Sequence, residues 1–273
     1  MNKQIPSIIM IICHDLGQNL GCYGRNISTP NLDKLAEDGV KFDNYFCTAS
    51  QCSPSRGSIV TGKHPHNNGL MGLAHMGWKL NDSEITLPMY LNQAGYETYL
   101  FGFQHESEDA ETLGYDHIYE KRDGMNNAEI TTEDFNEFLK KYSKEESEKP
   151  FYVSVGFIEP HRPYHREGYE EDKLEKVELL PYLLDKPGIR KDIAGLNGLI
   201  YHVDEMVGKI RDTLRETGLE EDTLVIFTTD HGIAMPRAKG TCYDPGIETA
   251  LLMYKPETAF AGGKTYDELL SNV

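Results

Sequence analysis

Two pairs of neighbouring acidic and histidine residues stand where they could act together on a metal ion. His14 and Asp15 follow the apolar segment PSIIMIIC, and Asp230 and His231 follow the apolar segment TLVIFTT. Apolar runs of this length are typical of strands buried on both faces, so each pair is predicted at the carboxyl end of a strand. Carboxylates and imidazoles that meet there suit calcium, magnesium, manganese or zinc. One pair alone indicates a turn-capping aspartate beside a structural histidine, whereas two pairs together favour a metal site.

A cysteine in the segment QCSPSRGSIVTG (51–62) could supply a nucleophile. Pro54 suits the first turn of a helix and Gly62 its end, which predicts Cys52 at the amino end of that helix. Free N–H groups and the helix dipole there stabilise an anionic nucleophile or a bound oxyanion. Arg56, one turn on, lies on the same side and could hold either through charge-assisted hydrogen bonds. Taken alone, the cysteine is equally typical of a buried core residue.

These residues need a sheet and helices to position them. The predicted strands are residues 6–13, 98–102, 151–157, 223–229 and 250–254. One helix is predicted over residues 30–38 with Thr29 as N-cap, and a long amphipathic helix over 193–214 stops by Gly218. The charged segment 140–149 indicates a solvated helix end followed by a loop. Alternating strands and helices predict an α/β fold with a mostly parallel sheet, whose ligand site lies beyond the carboxyl ends of the strands.

The composition and charge of the chain disfavour several kinds of binding partner and structural site. The chain has 273 residues, 39% of them hydrophobic, and a formal net charge of −17, which disfavours nucleic acid and anionic membranes. Five cysteines without C-x-x-C spacing fit neither a disulfide framework nor a structural zinc site. The apolar run 8–12 is too short to span a membrane and lacks a signal-peptide cleavage site. A cytoplasmic location is therefore expected.

The pattern C-x-P-S-R followed by T-G resembles the signature of the sulfatase family, within the alkaline phosphatase superfamily. Further segments resemble the same family: HDLG, STPNLDKLAEDGVKFDNYF, TLPMYLNQAGYETYLFG, TTDHG and AKGTCYDPGIETALLMY. The match covers nearly the whole chain and is nearest in character to the N-sulfoglucosamine sulfohydrolase branch. The resemblance implies a three-layer α/β/α sandwich. It also implies hydrolysis of sulfate esters or sulfamates, of a sulfated sugar or an aryl sulfate.

The resemblance also implies the site residues. The implied metal ligands are His14, Asp15, Cys52, Asp230 and His231. The implied catalytic residues are Cys52, Arg56, His105, His161 and Lys239. His14 stands where many members have a second aspartate, and Phe103 replaces a lysine that contacts sulfate. Lys63 and His66, just past the helix, are interpreted as parts of a solvated loop.

The resemblance implies that a sulfatase-maturating enzyme converts Cys52 to formylglycine. One hydroxyl of the hydrated aldehyde attacks sulfur with the help of a divalent cation, and the second later expels sulfate as the carbonyl reforms. Calcium is the expected ion, with manganese and magnesium as alternatives. Arg56 and Lys239 offset the charge on the sulfate, and His161 or His105 protonates the leaving group.

Sulfatases generally continue into a smaller C-terminal subdomain. Residues 1–273 are therefore expected to form a sulfatase catalytic domain truncated at its C-terminal end, with an oligomer or a partner covering exposed apolar surface. One alternative is a phosphodiesterase or phosphonate monoester hydrolase of the same superfamily. The other is a non-catalytic remnant, favoured by the truncation and Phe103 but disfavoured by the intact motif around Cys52.

Overall fold

The computed structural model describes residues 5–120, 127–145 and 149–273. Within these ranges the strands are β1 (Ser7–Cys13), β2 (Val40–Phe42), β3 (Tyr45–Phe46), β4 (Glu97–Gly102), β5 (His117–Tyr119), β6 (Phe151–Phe157), β7 (Thr223–Thr229), β8 (Leu251–Tyr254), β9 (Lys264–Tyr266) and β10 (Leu270–Ser271). The α-helices are α1 (Pro30–Asp38), α2 (Cys52–Thr61), α3 (Pro65–Asn68), α4 (Leu87–Gln93), α5 (Ala128–Tyr142), α6 (Pro187–Glu216) and α7 (Asp244–Ile247).

The described strands form one large, mostly parallel sheet, as predicted. Its order is β5-β4-β6-β1-β7-β8-β2-β9, and only β8 runs antiparallel to its neighbours β7 and β2. A small second sheet pairs β10 with β3. The central strands β6 and β7 are almost continuously buried, and β1 is buried over its last three residues, which explains why their sequences are mostly apolar rather than alternating.

Most of the predicted elements have the predicted bounds. β6, β7 and α1 match residue for residue, and β1, β4 and β8 differ by one residue at one end. The long helix begins at Pro187, earlier than predicted. The prediction followed the apolar periodicity, and the first turn of the helix has few apolar residues to reveal it. Thr29 is the N-cap residue of α1, but its hydroxyl accepts from Gly21 N at 2.8 Å and donates to Asp33 at 2.9 Å instead of capping the helix. Helix α5 ends at Tyr142 inside the charged segment 140–149, of which residues 146–148 lie outside the described residues.

Helices flank the sheet on both sides. Tyr99 and Phe101 of β4 pack on Phe138 of α5, at ring distances of 4.6 Å and 5.5 Å. Side chains alternate along a strand, so Leu100 points to the opposite face, on the side where α4 contacts β4. Helix α6 contacts both α1 and α5, and all three helices bury their apolar stripes on one core cluster. None of the helices in the described ranges is both long and apolar enough to cross a membrane.

The strand register brings several chain segments to one edge of the sheet. Cys13, the last residue of β1, pairs with the last residues of both β6 and β7, Phe157 and Thr229. The end of β4 aligns with Gly156 in the same way. A Cβ atom on Gly156 would lie 1.7 Å from the Phe103 carbonyl oxygen, so only glycine lets the chain leaving β4 cross this closely. The residues after these four strands must therefore meet at the carboxyl edge.

Candidate active site

Five side chains converge at this carboxyl edge, and they are the five predicted metal ligands. One ligand atom from each of His14, Asp15, Cys52, Asp230 and His231 lies within 4.8 Å of all the others, and all five residues are buried. The Cys52 thiol is 3.4 Å from His231 Nε2 and 4.0 Å from His14 Nδ1. His14 Nδ1 lies 2.5 Å from one oxygen of Asp15. Two carboxylates, two imidazoles and a thiol that face one point fit a divalent cation.

Backbone geometry holds the two aspartates in place. Asp15 has φ +50°, a region that aspartate enters more readily than most residues. Its N–H then donates to Asp230 Oδ1 at 3.0 Å, and the N–H of His231 donates to the same oxygen at 2.8 Å. The ring of His231 is fixed through Nδ1, 2.9 Å from the carbonyl oxygen of Gly232. With this outer partner in place, Nε2 faces the cluster, an arrangement common for metal-binding histidines.

The electrostatic environment keeps both carboxylates ionised. Burial opposes ionisation of Asp15, but its interactions with His14, His231 and Lys239 outweigh burial and hold its pKa well below the usual value. Burial also opposes ionisation of Asp230, but His14, His231 and Arg56 outweigh burial and hold its pKa low. Ionised carboxylates are the form that binds a cation.

Helix α2 presents Cys52 through polar rather than apolar packing. Cys52 is its first residue, and nearly every side chain of the helix is buried, including those of its three serines. Ser55 Oγ donates to the carbonyl oxygen of Asp230, and Ser53 Oγ accepts from the N–H of Ala74 at 3.0 Å. The helix ends at Gly62, whose φ of +63° suits glycine. The small side chains of the motif thus let α2 lie directly against the strand-end loops.

The cysteine itself is not activated by these residues. Burial, followed by the carboxylates of Asp230 and Asp15, raises the pKa of the Cys52 thiol to about 12. The sequence predicted that the helix amino end would stabilise an anion here. This expectation was wrong for the thiol, because burial and two adjacent negative charges oppose its ionisation more strongly than Lys239 and Arg56 favour it.

We therefore expect Cys52, in protein expressed without a maturating enzyme, to react with iodoacetamide at least about a hundredfold more slowly than the exposed Cys242 near neutral pH. The rate should keep rising as the pH approaches 12, because the thiolate is the reactive form. Mass spectrometry of the alkylated peptides, over a series of times and pH values, measures both rates. Equal rates at neutral pH would contradict the electrostatic account.

Arg56 is a buried cation in contact with the cluster. Its Nε donates to Asp230 Oδ2 at 2.9 Å, and Nη1 lies 4.0 Å from Glu106. Its guanidinium lies 5.5 Å from the centre of the Phe103 ring. Nη2 is buried and has no hydrogen-bond partner among the described residues. Arg56 therefore anchors a metal ligand and still has a donor that could reach a bound anion.

Lys239 reaches the cluster from the loop after β7. Its ammonium group lies 2.8 Å from each oxygen of Asp15, and these contacts raise its pKa although burial opposes this. The ammonium group thus shares the carboxylate that a cation would bind.

Replacing Lys239 by methionine is expected to strengthen binding of a divalent cation by about tenfold or more, because a positive charge is removed from beside a ligand. Turnover should fall in the same variant if Lys239 contacts the substrate. Isothermal titration with the cation measures the first effect. Lys255→Met, which removes a lysine that contacts the carbonyl oxygen of Glu221 on the surface, is the matched control. Weaker metal binding in Lys239→Met would contradict the competition.

The two predicted histidines lie beside the cluster, and a third lies with them. His161 Nε2 is 4.0 Å from Asp15 Oδ2, and its ring meets that of His14 edge-on at 4.6 Å. The ring of His105 lies 5.8 Å from that of His14. Burial, together with His14 and Arg56, lowers the pKa of His105 to about 3. His75, which no sequence pattern indicated, stacks on His105 with its Nδ1 3.1 Å from His105 Nε2.

Other residues around the site also escaped sequence reasoning. Buried Glu106 accepts from the N–H of His105 at 2.6 Å. Asn272 links the end of the chain to α2 and to the segment before it. Its Nδ2 lies 2.9 Å from Ser55 Oγ, and its Oδ1 accepts from the N–H of Thr48 at 2.8 Å. Lys63, whose side chain is 51% exposed, pairs at 2.7 Å with the nearly buried carboxylate of Glu84. His66 lies in the short helix α3 rather than in a loop.

Comparison with known proteins identifies the family. A family model described as Sulfatase matches residues 6–273. The chain belongs to the sulfatase family. Human N-sulphoglucosamine sulphohydrolase is 30% identical over 96% of this chain and 58% of its own length. An ulvan-active sulfatase from Formosa agariphila is 27% identical over 97% of this chain and 51% of its own length. The chain thus spans less than two thirds of the length of these two curated relatives.

Solved structures share the fold of this sulfatase-family chain. A sulfatase from Pseudoalteromonas sp. has a TM-score of 0.79 at 22% identity and is matched over 99% of this chain and 66% of its own. The phosphonate monoester hydrolase of Agrobacterium radiobacter has a TM-score of 0.78 at 19% identity, over 98% of this chain and 71% of its own. These neighbours confirm the predicted alkaline phosphatase-like fold.

Proposed function

We propose that this chain hydrolyses sulfate esters with a formylglycine made from Cys52 and a divalent cation. The observation that supports this most strongly is the position of Cys52. It is the first residue of a helix, its thiol lies 3.4 Å from His231 in a cluster of five buried donors, and the buried cation of Arg56 is hydrogen-bonded to that cluster. The precursor of a nucleophile, a metal site and a guanidinium that can bind an anion thereby lie in one place.

The residues divide into those that hold the cation and those that handle the sulfate. His14, Asp15, Asp230 and His231 hold the cation. When bound, a divalent cation lowers the pKa of a hydroxyl on the matured residue 52 and offsets charge on the sulfate. Calcium is the ion that the family pattern favours.

Arg56 and Lys239 supply the positive charge that the transferring sulfate group requires. Arg56 is fixed by Asp230 and uses its unpaired Nη2, whereas Lys239 transfers its hydrogen bonds from Asp15 to the sulfate. His161 gives the leaving group its proton, because its side chain is 36% exposed at the opening of the site. His105, held by His75 and Glu106, positions the substrate beside it.

The proposed substrate is a sulfated sugar. Its support is the set of relatives, which includes N-sulphoglucosamine sulphohydrolase, iduronate 2-sulfatase and ulvan-active sulfatase. The proposed partner in maturation is a sulfatase-maturating enzyme, since the thiol of Cys52 cannot regenerate itself after sulfation.

The decisive test combines mass and turnover. The chain is expressed with and without a maturating enzyme, and the mass of the tryptic peptide 42–56 is measured by mass spectrometry. We expect a loss corresponding to thiol replaced by aldehyde only with that enzyme, and hydrolysis of 4-nitrophenyl sulfate only by the modified protein. Glucosamine N-sulfate and glucosamine 6-sulfate then distinguish bonds to nitrogen from bonds to oxygen. An unmodified thiol despite the maturating enzyme would overturn the proposal, and faster turnover of an aryl phosphate diester would favour the phosphodiesterase alternative.

A further inference from the structure

We infer that the metal centre selects a later transition-metal cation, such as zinc, over calcium, through two imidazole ligands, His14 and His231. The inference rests on the proposed function in so far as both use the same cluster. His14 Nδ1 lies 2.5 Å from Asp15 Oδ1, 3.5 Å from Asp230 Oδ2 and 4.0 Å from the thiol of Cys52. His231 Nε2 lies 3.1 Å, 3.6 Å and 3.4 Å from the same three side chains. Both nitrogens thus face the point that the carboxylates face.

The cluster supplies fewer oxygen donors than calcium takes, so most ligands of a calcium ion here would have to be water or substrate oxygens. Calcium takes six to eight oxygen ligands, whereas imidazole nitrogens are preferred by later first-row transition ions. The two aspartates supply at most four carboxylate oxygens. Those of Asp230 are already shared, because Oδ1 accepts from two backbone N–H groups and Oδ2 accepts from Arg56. Two nitrogens and few free oxygens describe a compact site of mixed donors.

His14 is held rigidly in a ligand orientation. It is fully buried, and its backbone N–H donates to the carbonyl oxygen of Glu159 at 3.2 Å. The ring of Phe103 lies 5.3 Å from its own, and that of His161 lies 4.6 Å away edge-on. Because its surroundings leave the imidazole little freedom to turn, Nδ1 stays directed at the cluster.

The charges of the site agree with this assignment. With neutral imidazoles, the protein ligands carry the two negative charges of Asp15 and Asp230, which a divalent cation balances. Arg56 and Lys239 then remain as the positive groups that meet a dianionic or anionic substrate. A third carboxylate at position 14 would instead draw on those two cations and weaken their hold on the substrate.

The first test counts nitrogen ligands without any turnover. The full chain is loaded with Mn²⁺, and electron spin echo modulation is recorded. We expect couplings to two imidazole nitrogens in the wild type and to one in His14→Asp. His64→Asp, the same change at an exposed histidine, should retain both. A single coupled nitrogen in the wild type would overturn the inference, and this measurement requires no variant to fold.

The second test measures selectivity. Dissociation constants for Zn²⁺, Mn²⁺ and Ca²⁺ are determined by competition with a chromophoric chelator, after circular dichroism has shown that each variant is folded. We expect His14→Asp to shift the preference towards Ca²⁺ by at least tenfold relative to Zn²⁺, and His64→Asp to leave it unchanged. An unchanged preference in folded His14→Asp would overturn the inference.

The two proposals fail separately. Aryl sulfate hydrolysis by protein that binds Ca²⁺ and shows one coupled nitrogen would leave the proposed function standing and remove the inference. Two coupled nitrogens in protein that carries formylglycine but turns over no sulfate would do the reverse.

Discussion

Cys52→Ala is expected to lower the kcat/KM for 4-nitrophenyl sulfate by about 10⁴-fold or more in protein made with a maturating enzyme. The substitution removes the thiol on which the maturating enzyme acts when it converts Cβ into the aldehyde carbon, so no aldehyde forms and the attacking hydroxyl is lost. The other four donors of the cluster remain, so we expect cation binding to persist with reduced affinity. Steady-state kinetics and metal analysis of the same preparation measure the two effects.

Two further cysteine variants make this result specific. Cys242→Ala changes an exposed cysteine and should leave turnover within about twofold of the wild type. Cys52→Ser, in a host that does not convert serine, should be as inactive as alanine, because a sulfated serine has no second hydroxyl to expel sulfate. Residual activity of Cys52→Ala within tenfold of the wild type would mean that another group attacks the sulfur.

Arg56→Ala is expected to destabilise the fold by about 3–5 kcal/mol, besides lowering turnover. The side chain of Arg56 is 1% exposed, and its partner Asp230 is completely buried. Removing the cation leaves a buried carboxylate with one strong partner fewer, and the alanine also leaves a cavity beside Phe103. Urea unfolding followed by circular dichroism measures the change in the free energy of unfolding.

The matched control is another ion pair in the same part of the chain. Lys79 pairs with Asp82 at 2.8 Å, and the two side chains are 76% and 89% exposed, so Lys79→Ala should leave the free energy of unfolding nearly unchanged. The two variants differ chiefly in the burial of the lost charge. Equal losses of stability in both would show that burial does not decide the strength of the Arg56 pair.

Local patterns were sufficient for the elements that carry the site. The central strands are apolar runs with polar residues directly after them, so both their bounds and the position of the two acidic–histidine pairs could be predicted. The short strands β2, β3, β5, β9 and β10 were not predicted from local patterns, because each has only two or three residues. Such strands leave no periodicity to detect.

The fold class, the helix that begins at Cys52 and the five residues that meet at the carboxyl edge could all be predicted before the structure was known. Only the tertiary structure decided what these groups do to one another. Lys239 lies on Asp15, Asp230 holds Arg56, and the pKa of the Cys52 thiol is raised rather than lowered. These two kinds of property differ because the interactions behind them act over different separations along the chain. Helix and strand propensities act between near neighbours in sequence, whereas desolvation and Coulomb interaction depend on distances between atoms that the sheet brings together from more than 200 residues apart.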